Sequence, residues 1–173
     1  MALSDRYRLE REIGAGGMAT VFLAEELRHQ RPVAVKVLRP ELSAALGHDR
    51  FRRELTTAAG VRHPHIVPLY DSGEAAGFLF YVVPFVEGES LRDRLAREGP
   101  LPIEDALRFA DEIASALSYA HGRGILHRCL TPDRILLEHG HAMVADLGIA
   151  QAVSAASDAT HVAIGMDIAT PTY

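Results

Sequence analysis

The stretch EIGAGGMATVFLAEELRHQRPVAVKVL, residues 12–38, decides the fold. Three glycines separate two runs rich in apolar and β-branched residues, and a third run of this kind follows the polar segment LRHQR. Strand-forming runs separated by glycines and polar turns are typical of antiparallel hairpins. Together with the run YRLEREI that begins at Tyr7, the stretch predicts a three-stranded antiparallel meander.

Composition narrows the class of protein. The chain has 173 residues, of which 48% are hydrophobic and 24% charged, as expected for a soluble globular domain. A formal charge of -5 without a dense basic run argues against nucleic-acid binding. Cys129 is the only cysteine, so no internal disulfide forms, and no signal peptide or membrane-length apolar run is evident. We therefore expect a cytoplasmic protein without a membrane partner.

The next hundred residues alternate between strand and helix patterns. Apolar residues at helical spacing predict a helix over residues 49–61, followed by two strands within 65–73 and 77–88 that are joined at 73–77. Ser90 and Gly99 then match the preferred residues at the two ends of a short helix. These elements predict a five-stranded sheet with one helix, followed by helical structure.

The strongest helix pattern covers residues 103–122. Its apolar positions repeat at three and four: Ile103, Ala106, Leu107, Ala110, Ile113, Ala114, Leu117 and Ala120. Two short strands, 134–138 and 142–146, should follow. The small residues of 151–173 have no clear period and predict a loop.

Two features of the meander indicate a site. Backbone amides at Gly14 and Gly16 could approach phosphate oxygens, although such glycines also serve in plain hairpins. A strand follows these glycines, which argues against the dinucleotide-binding motif, where a helix follows. Lys36 lies in an apolar strand, where its charge needs a partner such as Glu54 unless the lysine lies at a solvated edge.

Seven segments together resemble the eukaryotic-like serine/threonine protein kinases found in bacteria: GAGGMATV, VAVK, FRREL, HPHIVPLY, HRCLTPDRILL, ADLG and ATPTY. They occur in the order and spacing of that family and cover nearly the whole chain. The resemblance implies an α+β protein-kinase fold. Its N-terminal lobe with the hinge would occupy residues 1–86, with a five-stranded antiparallel sheet and one helix, and a partial helical C-terminal lobe would occupy 87–173.

The resemblance also implies roles for individual residues, with ATP and magnesium as cofactors. Lys36 would hold the α and β phosphates, Glu54 would orient Lys36, and Asp146 would bind magnesium. Val83 would guard the pocket behind the hinge, and Leu147 would replace the usual phenylalanine after Asp146. The residues that would surround the nucleotide are Gly14, Gly16, Val21, Ala34, Pro84, Val86 and Leu136.

The catalytic loop departs from the family pattern HRDLKPENIL at three polar positions. Cys129 stands at the aspartate that positions the substrate hydroxyl and accepts its proton, and Thr131 stands at the lysine. Arg134 stands at the asparagine that binds the second magnesium ion, so it would pair with Asp146 or stand in for the metal. These departures predict an ATP-binding module with impaired phosphotransfer.

Several alternatives remain open at this stage. The chain would be an active kinase if Lys36, Glu54 and Asp146 suffice, with Asp133 as a substitute carboxylate, or it would be a degenerate fragment. Cys129 beside His127 could act as a nucleophile. The pairs His63 with His65 and His139 with His141 could bind metal, although a loop and a turn explain them as well.

The resemblance implies that the family's domain continues past the segment in which this sequence ends, at Tyr173. The helix over 103–122 would then leave an apolar face without its usual cover. We expect this face to remain exposed, to bind a protein partner, or to associate with a second copy.

Overall fold

The computed structural model describes residues 3–149, apart from the side chain of Glu54. The loop expected for 151–173 lies outside these residues. A five-stranded antiparallel sheet forms the first half, in the order β1-β2-β3-β5-β4. Its strands are β1 (Tyr7–Ala15), β2 (Ala19–Glu26), β3 (Arg31–Leu38), β4 (Asp71–Ala75) and β5 (Phe78–Pro84). The expected meander is confirmed as β1 to β3.

Two helices lie between β3 and β4: α1 (Pro40–Leu46) and α2 (His48–Ala59). The sequence analysis predicted α2 within two residues of its ends but missed α1. Helix α1 begins with Pro40 in its first turn, where the missing amide costs nothing, and Gly47 with φ 68° separates the two helices. Phe51 and Leu55 of α2 are almost fully buried against the sheet. Packing of α2 therefore covers one face of the sheet.

The strand expected over residues 65–73 is shorter than predicted. Only β4, from Asp71, joins the sheet. Pro64 and Pro68 have no amide hydrogen to donate to a sheet neighbour, so the segment before β4 runs as a loop. Within that loop, Ile66 forms a single parallel bridge with Val144. The loop thus connects the first half of the chain to the second.

The second half contains α3 (Leu91–Glu98), α4 (Ile103–His121) and a small sheet of β6 (Glu89–Ser90), β7 (Ile135–Glu138) and β8 (His141–Val144). Ser90 caps α3 as expected, because its side chain accepts from the amide of Asp93 while the Asp93 carboxylate accepts from the Ser90 amide. Helix α4 ends one residue before the predicted limit, and β7 and β8 confirm the two short strands. No helix of the described residues has the length and hydropathy for a membrane crossing.

Helix α4 buries a different side from its most regular apolar stripe. Its buried residues are Phe109, Glu112, Ala116 and Ala120. Of the predicted stripe, Ala120 is buried, whereas Ile103 and Leu107 are 78% and 67% exposed. The expected exposed apolar face is therefore present at the N-terminal half of α4. We call the two residues Ile103 and Leu107 the α4 apolar face.

Glu112 is a buried carboxylate that ties α4 to β8. It accepts hydrogen bonds from the amide of Ala142 at 2.7 Å and from His141 Nδ1 at 2.6 Å. His65 lies 4.0 Å from the same carboxylate, and the ring of His63 lies beside that of His65. Burial raises the pKa of Glu112, but the Ala142 amide and His141 outweigh it, and the pKa is lowered. Burial, together with the nearby His65, lowers the pKa of His63.

These shifts predict a protein that loses stability in acid. Both folded-state pKa values are depressed, so each group stabilises the fold above its unfolded pKa and less as the pH falls below it. The His63 contribution should decline below about pH 6.5, and the Glu112 contribution below about pH 4.5. Urea unfolding from pH 7 to pH 3 measures this. Glu112→Gln should flatten the loss below pH 4.5, whereas Glu104→Gln, in the exposed first turn of α4, should not; equal curves would contradict the assignment.

Candidate functional site

An ion pair between Lys36 and Asp146 joins the two halves of the chain. Lys36 lies in β3, and Asp146 follows β8 by two residues. Lys36 Nζ donates to Asp146 Oδ1 at 2.7 Å, and the two side chains are only 15% and 12% exposed. The expected partner Glu54 lies in α2, but its side chain is outside the described residues. The structure thus places two predicted site residues, 110 positions apart, in direct contact.

Tyr81 is a third member of this pair that sequence analysis missed. Its hydroxyl donates to the same Oδ1 of Asp146 at 2.8 Å. Tyr81 lies opposite Lys36 in the β3–β5 register, so both side chains extend from the same face of the sheet. Burial raises the pKa of Tyr81, and the Asp146 carboxylate raises it further. A tyrosine inside the apolar run FLFYVVP was the available signal, because a buried hydroxyl requires a partner.

The pKa of Asp146 shows which effect dominates in the cleft. Burial alone would raise it, because a carboxylate loses solvation. The charge and hydrogen bond of Lys36 and the hydrogen bond of Tyr81 outweigh burial, so the pKa is lowered. Asp146 is therefore ionised at neutral pH.

The glycine turn between β1 and β2 has open space around it. Gly14 pairs with Val21, and the amide of Gly16 donates to the carbonyl of Ala19 at 2.9 Å. A Cβ added at Gly14 or Gly17 would meet no heavy atom within 4 Å, and at Gly16 only a carbonyl at 3.9 Å. Neither packing among the described residues nor a positive φ requires glycine here. This space fits close approach of a ligand to the backbone.

The residues expected around an adenine ring share one apolar cluster. Ala34 and Val83 are buried in it, and Val21, Val86 and Leu136 pack against it. Pro84 ends β5 opposite Val33, just before Val86. Behind Val83, a cavity of about 20 Å³ extends to Tyr81 and Asp146. The cluster and the ion pair thus lie side by side.

Backbone geometry orients Asp146. Its φ of 60° is left-handed, and Gly148 follows with φ 82°. A Cβ at Gly148 would lie 2.9 Å from the Cβ of Ala58, so this glycine also permits close contact with α2. Leu147 between them is buried, as an apolar plug should be. The turn after β8 is therefore fixed against α2.

The catalytic-loop segment packs against the same turn. His127 is buried, and its Nε2 donates to the carbonyl of Ala145 at 2.9 Å. Burial is the main cause that lowers the pKa of His127. Cys129 is half-buried, and within residues 3–149 its thiol makes no hydrogen bond to His127. The geometry gives no support to a Cys129–His127 nucleophile.

Asp133 points to the surface of the molecule. Its carboxylate accepts from Arg92 Nε of α3 at 2.5 Å, and its side chain is 54% exposed. This ion pair directs Asp133 away from the Lys36–Asp146 contact. The geometry gives no support to Asp133 as a substitute for the carboxylate missing at position 129.

Arg134 does not pair with Asp146 as one expectation required. No salt bridge joins them in the described part of the chain; instead Arg134 Nη2 donates to the Met18 thioether at 3.3 Å. Met18 lies at the tip of the glycine turn, and sequence analysis assigned it no role. The contact between Met18 and Arg134 crosses the cleft from the first sheet to the second.

The histidine pairs have structural positions. His63 and His65 lie in the loop before β4, and His139 and His141 flank the turn into β8. Residues 3–149 contain no group of three or more His, Cys, Asp or Glu arranged for a metal ion. The loop-and-turn interpretation therefore describes them better than a metal site.

Comparisons with known proteins agree with this geometry. Residues 7–173 match the protein kinase domain family. The chain is 42% identical over 156 residues to the serine/threonine-protein kinase PrkC of Bacillus subtilis, covering 88% of this chain and 24% of PrkC. It is 42% identical over 167 residues to PknB of Mycobacterium leprae, covering 93% of this chain and 27% of PknB.

Among solved structures, the Mycobacterium tuberculosis PknI kinase domain is similar, with a TM-score of 0.73 and 34% identity. The match covers 86% of this chain and 65% of that one. The chain spans about a quarter of the length of the curated relatives. Members of this family generally use ATP and Mg²⁺ and act on protein substrates. The chain therefore belongs to the protein kinase domain family, among the bacterial serine/threonine protein kinases.

Proposed function

We propose that this chain binds ATP in the cleft around Lys36 and Asp146 and transfers its terminal phosphate poorly or not at all. The observation that carries the proposal is the Lys36–Asp146 ion pair beside the apolar cluster of Ala34 and Val83. An ammonium group beside an apolar cluster suits a nucleotide, whose base is flat and whose phosphates are anionic. Residues expected to hold the base and the phosphates converge there.

The proposed loss of phosphate transfer rests on the residues of the catalytic loop next to the Lys36–Asp146 pair. Cys129 has no carboxylate to orient and deprotonate a hydroxyl, which removes a contribution of about 10² to 10⁴ in rate, or roughly 3–5 kcal/mol. Asp133, the nearby carboxylate, is held at the surface by Arg92. Thr131 offers no positive charge to the transferred phosphoryl group. The proposal is therefore a regulatory or binding module rather than an efficient transferase.

Magnesium fits this cleft less well than ATP does. Asp146 Oδ1 already accepts from both Lys36 and Tyr81. Arg134 replaces a neutral oxygen ligand with a positive charge, and Mg²⁺ requires oxygen ligands in a strict octahedral geometry. Asp146 would be the one family metal ligand that remains, so we propose weak or absent binding of a second metal ion.

A thermal-shift titration tests ATP binding. At 100 times the dissociation constant, ATP should stabilise the chain by about 2.7 kcal/mol, a shift of roughly 5–10 °C for a domain of this size. Gly14→Val should abolish the shift, because the added side chain would occupy the space proposed for phosphates, while its Cβ meets no heavy atom within 4 Å in the unliganded protein. Glu10→Val, at an exposed site in the same strand, is the matched control and should behave as the parent.

The same protein, assayed for transfer of radiolabelled phosphate to a basic protein, should show no activity above that of Lys36→Ala. Transfer that disappears in Lys36→Ala would instead establish an active serine/threonine kinase. No ATP shift at millimolar concentration would establish a degenerate fragment and remove the proposal.

Tyr81→Phe tests the assignment of the shared carboxylate oxygen. Loss of a hydrogen bond to a buried charge should lower the free energy of unfolding by about 1.5–3 kcal/mol. Tyr70→Phe, whose ring is 41% exposed, should change it by no more than about 0.5 kcal/mol. Urea unfolding measures both, and equal effects would show that the Tyr81 hydroxyl does not stabilise Asp146.

The α4 apolar face supports a protein contact, in the simplest case with a second copy. Two large aliphatic side chains one helical turn apart, exposed by 78% and 67%, favour burial against another surface. Sedimentation velocity should show a sedimentation coefficient that rises with concentration, and Leu107→Glu should abolish the rise. Ala96→Glu on α3 is the control. A chain that stays monomeric at all concentrations would contradict self-association.

A further inference from the structure

Arg134 is fixed next to the turn that carries Asp146. It ends a short 3-10 turn, Pro132–Arg134, that leads into β7. Its amide donates to the carbonyl of Thr131 at 2.9 Å, and its carbonyl accepts from the amide of Ala145 at 2.8 Å. Because Ala145 directly precedes Asp146, these backbone bonds hold Arg134 beside the cleft.

The guanidinium of the half-buried Arg134 has few acceptors among the described residues. Nη2 donates to the Met18 thioether, which is a weak acceptor. Nη1 is buried and has no hydrogen-bond partner within the described residues. A buried donor without a partner costs about 1–3 kcal/mol, and more when it is charged. Such a group is stabilised by any strong acceptor that enters the cleft.

No carboxylate of the described side chains contacts this guanidinium directly, although the charge of Asp146 acts on it from a distance. Among residues 3–149, Arg134 forms no salt bridge with an aspartate or glutamate. Burial is the first cause that shifts the pKa of Tyr81, Asp146 and His127, and the Arg134 charge acts on all three. These groups lie on β5, in the turn after β8 and in the loop after α4, so the guanidinium faces the space between three elements.

We propose that Arg134 binds the terminal phosphates of a nucleoside triphosphate directly, in the place of a second magnesium ion. The inference rests on the proposed ATP binding and names the ligand form: the metal-free nucleotide. A guanidinium offers two parallel N–H donors to phosphate, and such charge-assisted pairs are roughly twice as strong as neutral hydrogen bonds. A fixed cation at this position also repels a divalent metal ion.

The glycine turn leaves room for phosphates next to Arg134. Met18, the present acceptor for Nη2, lies at the tip of that turn, above the glycines that leave the backbone uncovered. Exchange of a thioether for phosphate oxygens replaces a weak acceptor with a strong one. Lys36 on β3 and Arg134 before β7 would then hold the phosphate chain from two sides.

Isothermal titration calorimetry with ATP tests the inference, once in excess EDTA and once in Mg²⁺. The parent chain should bind ATP with dissociation constants that agree within about threefold in the two buffers. Arg134→Asn, which introduces the family's residue, should bind ATP at least about tenfold more weakly in EDTA, a loss of about 1.4 kcal/mol. Added Mg²⁺ should recover part of that affinity.

Adenosine and a second arginine provide the controls. Adenosine has no phosphate, so its affinity should be the same in the parent and in Arg134→Asn. Arg123→Asn, an exposed site, should leave ATP binding unchanged. Arg134→Lys keeps the charge without the fork, so its loss of affinity in EDTA should be smaller than that of the asparagine variant. A lysine variant that binds ATP in EDTA as tightly as the parent would contradict a bidentate phosphate contact.

The outcomes separate the two proposals. If the parent binds ATP in neither buffer, the proposed function fails. If the parent binds ATP only with Mg²⁺, or if Arg134→Asn binds as tightly as the parent in EDTA, this inference fails while ATP binding stands.

Discussion

The Lys36–Asp146 ion pair is the contact on which the cleft depends. It joins a strand of the first sheet to the turn after the second, and neither charge has much access to solvent. A buried pair of this kind is weak evidence for net stability, yet loss of one partner would leave an uncompensated charge at a cost of about 3–5 kcal/mol. Tyr81 reduces the cost of burying the Asp146 carboxylate, because its hydroxyl donates to the same oxygen as Lys36. The two halves are therefore held in one arrangement by charge, while apolar packing fills the space around it.

A second connection between the halves lies behind this pair. The loop before β4 bonds to β8 through the amide of Val67 and the carbonyl of Val144, and Glu112 fastens β8 to α4. Strand β8 leads directly into Ala145 and Asp146, so its position sets that of the carboxylate in the cleft. In the described part of the chain, the histidines around Glu112 do not contact the cleft. They act on it indirectly, because Glu112 holds β8 and β8 positions Asp146. Sequence analysis missed this cluster because the histidines and Glu112 are far apart in the sequence.

Sequence analysis predicted most of the elements and the protein-kinase fold, and it failed where long-range geometry decides. Local signals were enough for the meander, for the capped helix after Ser90 and for the ends of α4. Helix α1 was missed because its seven residues are too few for a clear period. The strand predicted over residues 65–73 was too long, because two prolines have no backbone amide hydrogen to donate to a neighbouring strand. Tyr81 could be placed in the site only from the pairing of β3 with β5, and Met18 only from the approach of the glycine turn to Arg134. No local sequence pattern encodes either contact.

Under the proposed function, the charges of the cleft would separate nucleotide binding from phosphate transfer. Among the described side chains of the cleft, Lys36 and Arg134 are cations, and Asp146 is an anion that is paired with Lys36. A metal-dependent transferase needs the opposite balance, with acidic and neutral oxygens that hold divalent ions and a carboxylate that accepts the proton. In the family's pattern, position 129 holds that proton acceptor and position 134 holds a metal ligand, so Cys129 and Arg134 would act in the same direction. Under the proposed function, Arg134 adds positive charge that attracts a polyanion, and position 129 has no carboxylate to accept the proton that transfer releases.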